Sequence, residues 1–138
     1  MSNLVGTYDH TMVNITVEGI ALTDFNGDVV ISKEGDDWEV TEGSNGCVER
    51  SRMVRKLYRV TIPFMQTSPQ LTKLEALRVA DETTKAGPYG FACVDLNGAY
   101  VLMGQCWIQS MGEATKGRAA TSRTVTLRVK AEAAFEGA

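Results

Sequence analysis

Histidine is almost missing from this sequence: His10 is the single one. A Ser-His-Asp or Cys-His catalytic set therefore has one residue to draw on, and no Cys/His zinc pattern can be assembled. Cysteine is nearly as scarce. Cys47, Cys93 and Cys106 form no CxxC, and three thiols cannot all pair within one chain. They read as reduced thiols of a cytosolic product, acting as small hydrophobes. Long apolar runs are absent too. Nothing approaches the roughly 18 apolar residues of a membrane helix. Residues 1–10 show no basic segment followed by an apolar run, so no signal peptide is expected. Excess charge of one sign is also lacking. With 14 basic residues against 17 acidic ones the net charge is −3, which gives no global attraction to nucleic acid.

What is present is alternation. The chain has 138 residues, 43% of them hydrophobic, enough for one core. Residues 11–17 place Val13, Ile15 and Val17 on one face and Asn14 and Thr16 on the other, the mark of a half-buried strand. Further extended pieces are expected over 20–23, 29–33, 38–41, 47–54, 57–65, 91–95, 99–109 and 122–130. Turn signals separate them at Asn26-Gly27-Asp28, Glu34-Gly35-Asp36-Asp37, Ser44-Asn45-Gly46 and Asn97-Gly98. One stretch has a different period. Leu71, Leu74 and Leu77 recur at helical spacing after Ser68, an N-cap, and Pro69, a residue suited to the first helical position. The helix is expected over about 69–84. It should end at Lys85-Ala86-Gly87-Pro88, with Gly87 free to take positive φ. Residues 1–10 read as a flexible arm and 131–138 as a flexible end. The expected fold is a single, mainly β domain: an antiparallel sandwich or barrel with one helix packed against it.

No catalytic constellation emerges. His10 falls in the expected arm, whereas a catalytic side chain is held rigidly. Asp36 and Asp37 are adjacent, so their side chains point apart. Gly112 and Gly117 lack the strand–turn–helix context of a phosphate loop. An enzyme is not expected, nor any metal or cofactor. The clustered positive charge at Arg50, Arg52, Arg55, Lys56 and Arg59 has Tyr58 as its one aromatic neighbour, too little for a base-stacking surface. Arg50, Arg52, Arg55 and Lys56 are instead candidates for a subunit interface. The acidic stretch of Asp28, Glu34, Asp36, Asp37, Glu39 and Glu42 can supply carboxylates on a neighbour. Trp38 and Trp107 are expected in the core or an interface, and Met53, Met65, Met103 and Met111 as gap-fillers.

Taken in order, several segments resemble one family. Ile62-Pro63-Phe64-Met65-Gln66-Thr67-Ser68-Pro69 is similar to the strand-to-helix junction of the tail tube proteins of contractile-tailed bacteriophages. Residues 74–81 resemble that family's helix and Asp95-Leu96-Asn97-Gly98 its hairpin. Cys106-Trp107-Ile108-Gln109 resembles the next strand and residues 117–127 the closing strand. Tyr8-Asp9 followed by 13–28 resembles the first hairpin. Each motif is short, and the specificity lies in their order along residues 8–130. The basic segment at 50–59 and the Ala-rich end at 131–138 depart from the pattern.

The resemblance implies a virion structural protein synthesised in the bacterial host cytoplasm. Its subunits would form homo-hexameric rings that stack into the inner tube of a phage tail. The implied partners are further copies of itself, the tail sheath protein, and the baseplate and tape-measure proteins. DNA would pass through the lumen without specific binding, and no membrane binding is implied. Acidic side chains facing the lumen would keep a polyanion mobile. Asp24, Asp28, Glu34 and Glu39 are the candidates. Loops 42–46 and 110–121 are expected to make axial contacts. A contractile bacteriocin tube and a type VI secretion-like tube are alternatives of the same architecture. A monomeric ligand-binding β-barrel is the alternative of a different class.

Overall fold

The computed structural model describes residues 6–53 and 56–137. Among them alternation produces strands throughout: β1 (Val13–Val17), β2 (Ile20–Leu22), β3 (Val30–Lys33), β4 (Trp38–Glu42), β5 (Val48–Arg52), β6 (Leu57–Met65), β7 (Tyr89–Asp95), β8 (Tyr100–Ser110) and β9 (Ser122–Glu136). A single helix, α1 (Pro69–Thr84), stands between β6 and β7. The fold is mainly β, with one curled antiparallel sheet and one helix.

Seven strands form that sheet in the order β2-β1-β7-β8-β9-β6-β3. Residues just past β2 pair with the far side of the sheet. Met65 N donates to Asp24 O, Asn26 N donates to Pro63 O, and Phe25 bridges Phe64. The chain thus carries the sheet back onto β6 and rolls it around one core. Inward positions follow a period of two. Tyr58, Val60, Ile62 and Phe64 on β6 face Val125, Leu127 and Val129 on β9, all buried. Ile15, Val17, Phe91, Cys93, Leu102 and Cys106 complete the interior. Burying each large apolar side chain contributes roughly 1.5–3 kcal/mol.

The helix closes this core. Leu71 and Leu74 are buried in it, and Leu77 packs against it. Ser68 caps the N-terminus by accepting from Gln70 N, and Pro69 takes the first helical position. Gln70 is itself buried and ties the helix to the end of β2. Its Nε2 donates to Ala21 O at 2.7 Å, and its Oε1 accepts from Thr23 N at 3.0 Å. Ala21 O lies on the edge strand β2 and Thr23 N just past it, and both would otherwise lack protein partners.

Three expectations are corrected. The C-terminal stop of the helix does not use Gly87 in a left-handed conformation. Lys85 takes φ 55° there, and its N–H bonds Asp81 O. Gly87 serves by size: its N donates to Asp81 Oδ1, and a Cβ would meet that oxygen at 2.9 Å. The end at 131–138 is not loose as far as it is described. β9 runs on to Glu136, pairing Ala133 with Met103 and Glu136 with Tyr100. Alanine favours helix, but β8 supplies a full row of backbone partners. The register shift at Gly104 also admits the chain closely, for a Cβ there would meet Lys130 O at 2.1 Å. Tyr58 adds a tether by donating to Glu136 Oε2. The arm at 1–10 is described only from residue 6, and its end is anchored. Asp9 N donates to Asn97 Oδ1, and Asn97 Nδ2 donates to Asp9 O. His10 opens a short 3-10 turn, His10–Met12.

Candidate assembly surfaces

β4 and β5 stand outside the rolled sheet as a separate two-stranded hairpin. All five residues of each strand are exposed. The base is pinned: Met53 N donates to Asp37 O, and Lys33 pairs with Asp37. The far end closes through Gly43 N donating to Cys47 O, with Gly46 at φ +85°. Pairing of Trp38 with Arg52, Val40 with Arg50 and Glu42 with Val48 puts these residues on one face. Glu39, Thr41, Glu49 and Ser51 fall on the other. One face therefore carries Trp38, two valines and two arginines, with Glu42 at its far end, and the other is acidic and hydroxylic. The Arg50 guanidinium lies 4.3 Å from the centroid of the Trp38 ring, a cation–π contact that holds the first face in shape.

The interface candidates are divided by this geometry. Arg50 and Arg52 share the Trp38 face. Lys56 is exposed beyond the hairpin, and Arg55 lies outside the described residues. Arg59 belongs elsewhere. It sits on the outer face of β6 opposite Arg128 of β9, and both arginines meet the Glu34 carboxylate.

The lumen candidates differ in their surroundings. Asp24 is half-buried beside the helix start, where its Oδ2 accepts from Ser68 Oγ. Glu34 is engaged by Arg128 and Arg59, so its charge is neutralised within the chain. Asp28 is exposed at the turn before β3, and Glu39 is on the acidic face of the hairpin. Asp37 also finds its cation internally, in Lys33. The acidic stretch is thus only in part free to meet a neighbour.

The outer face of the sheet carries the second surface. Val94, Val101 and Phe135 form one cross-strand row over β7, β8 and β9, and Ala92, Met103 and Ala133 form the next. Phe135 is 62% exposed and Met103 45%. The expectation of gap-filling methionines holds for Met111, which is buried; Met53, Met65 and Met103 are exposed. Trp38 and Trp107 are partly exposed and outside the core. Strands β2 and β3 are the edges of the sheet, and an edge presents unpaired backbone groups.

No family model matches this chain, and no curated protein matches it. The surfaces themselves are then the guide. A cleft of about 600 Å3 with mixed polar and apolar lining opens beside Val13, Ile15, Phe25 and Val29, and His10 and Asp28 also line it. His10 has no acid partner among the described residues' hydrogen bonds and ion pairs, and the cleft brings no nucleophile–base pair together. Burial holds the Cys93 thiol up at about 11 and the Cys106 thiol at about 12, so both are protonated small hydrophobes rather than nucleophiles. Among the described residues no helix is long and apolar enough to cross a membrane.

Sequence reasoning found the arginines of the hairpin but not the residues that make it a surface. Val40 and Val48 are 59% and 64% exposed. The available signal was the pairing of two alternating segments across a Gly-containing turn. Trp38 and Val40 stand opposite Arg52 and Arg50, which places all four on one side.

Proposed function

We propose that this protein is a self-assembling structural subunit of a tail tube, forming stacked hexameric rings inside a contractile sheath of a phage tail. The observation that carries this reading is the β4–β5 hairpin. It exposes apolar side chains on a segment that no described element of its own chain covers, and such a surface marks an interaction site. The two sheet edges and the apolar outer rows add to it, because neighbouring subunits relieve both. The order of motifs along residues 8–130 supplies the family. On this reading the chain performs no catalysis and holds no cofactor. Its partners are other copies, the sheath, the baseplate and the tape-measure protein, with DNA passing through the channel. Asp28 and Glu39 remain the acidic residues free to face that channel.

Negative-stain electron microscopy of the purified protein over a range of concentrations tests the reading. Rings or hollow tubes are the expected result. A monomer at every concentration that also takes up an apolar fluorescent probe would favour the ligand-binding barrel, for which the cleft beside Val13 and Val29 is the specific feature. A contractile bacteriocin or secretion tube gives the same images and is separated by the genes that flank this one.

A further inference from the structure

The assembly reading leaves open what receives the hairpin. We infer that the Trp38 face of the hairpin docks, on a second copy of this chain, into the acid-flanked depression on the outer face of β1, β7 and β8. The inference rests on the assembly reading and specifies its contact.

The depression exists because small residues meet there. Gly90, Ala92 and Gly104 line it together with Met103. A Cβ built on Gly90 meets nothing within 4 Å, so the space above it is open. Glu18 and Glu132 also line the depression. Glu18 is held in place at φ 47°, with its Oε2 accepting from Gly90 N at 3.1 Å. Glu132 is the extra residue at the register shift between Met103 and Gly104, which leaves it exposed. Neither glutamate has an ion-pair partner among the described residues, and neither do Arg50 and Arg52.

The two surfaces are complementary in kind. The hairpin offers two arginines around Trp38 and Val40, with the single carboxylate of that face, Glu42, away at the turn end, and the depression offers two carboxylates beside Met103 and Ala92. The reverse face of the hairpin carries Glu39 and Glu49 and is repelled by the same carboxylates, so the charges select which face lies down. The hairpin follows β3 at one end of the strand order, whereas the depression lies over strands toward the other end. The two halves of the contact share no residue, so one chain presents both. Such a contact is heterologous: it closes into a ring or continues as a filament.

The test uses the full chain and sedimentation velocity across a concentration series. Arg50→Glu with Arg52→Glu removes the donor, and Glu18→Arg with Glu132→Arg removes the acceptor. Each pair is expected to raise the assembly midpoint at least about tenfold, and all four substitutions in one chain to restore it within about threefold. An equimolar mixture of the two double variants should also assemble, with unlike copies alternating, since each intact half and each reversed half meets its complement on the other variant. Arg50→Glu with Glu132→Arg repeats the exchange without altering Glu18, whose backbone is constrained, and circular dichroism verifies folding. Assembly that survives the acceptor variant but not the donor variant overturns the docking site and leaves the assembly reading standing. A wild-type protein that stays monomeric throughout removes both.

Discussion

The rolled sheet and the β4–β5 hairpin are built from the same alternation, yet only one of them is buried. In β6 the residues on one side of the pleat, Tyr58, Val60, Ile62 and Phe64, disappear into a core that β9 and the helix complete. In β4 and β5 the same period sorts Trp38, Val40, Glu42, Val48, Arg50 and Arg52 from Glu39, Thr41, Glu49 and Ser51, but both sides remain in solvent. Alternation specifies a strand with two unlike faces. It does not specify which molecule covers the apolar one. Where the covering partner lies in the same chain the result is stability, and where it does not the result is a surface for something else.

This contrast predicts very different costs for similar substitutions. Phe64→Ala empties a fully buried site that also contacts Phe25. It should destabilise the folded chain by about 3–5 kcal/mol in urea unfolding. A cost near zero would mean that the interior is loosely packed and the contrast with the hairpin false. Gln70→Ala comes next. It strands the N–H of Thr23 and the carbonyl of Ala21, which the Gln70 amide serves at the end of β2. A loss of about 2 kcal/mol is expected. Amide exchange at Thr23 should rise in the same variant, which separates a local opening from general weakening.

The buried thiols sharpen the comparison through pH. Both sit on inward positions of the sheet, while Cys47 is exposed at the hairpin. An unfolded thiol has the ordinary value of 9.0, whereas burial lifts Cys93 to about 11 and Cys106 to about 12. Between those values the unfolded chain has released protons that the folded chain retains. Their contribution to stability is thus whole below pH 9 and is lost as pH climbs toward 11 and 12. Unfolding midpoints should fall across that window, and Cys93→Ala with Cys106→Ala should flatten the fall. At pH 8 a thiol reagent should label Cys47 in the native protein and the other two only after unfolding.

The strands and the helix were legible because their signals are local. Ser68-Pro69 fixes the start of the helix within the sequence, and Leu57–Met65 carries its own alternation through nine residues. The extension of β9 to Glu136 was not legible, because its cause is elsewhere. The backbone row of β8 and the missing side chain at Gly104 hold Ala131, Ala133 and Ala134 in a strand that their own propensity does not favour. The candidate surface divides the same way. The arginines at 50 and 52 can be seen as a cluster in the sequence. Their alliance with Trp38 and Val40 depends on cross-strand register, and the partner of Glu34 proves to be Arg128, 94 residues away. Charge that looked available for a neighbour was consumed by a pairing that only the rolled sheet creates.

The smallest expected effect is the one that decides how the hairpin should be understood. Val40→Thr with Val48→Thr keeps β-branched side chains on a pleated surface while removing apolar atoms from the exposed face. Neither valine is buried, so urea unfolding of the monomer should change by no more than about 0.5 kcal/mol. If the monomer instead loses several times that amount, the hairpin is packed against its own domain in solution and its apolar face needs no second molecule. If folding is untouched while rings or tubes form only at higher concentration, Val40 and Val48 act between chains. The same alternation would then serve folding in β6 and association in β4 and β5, with the difference set by where the covering surface resides.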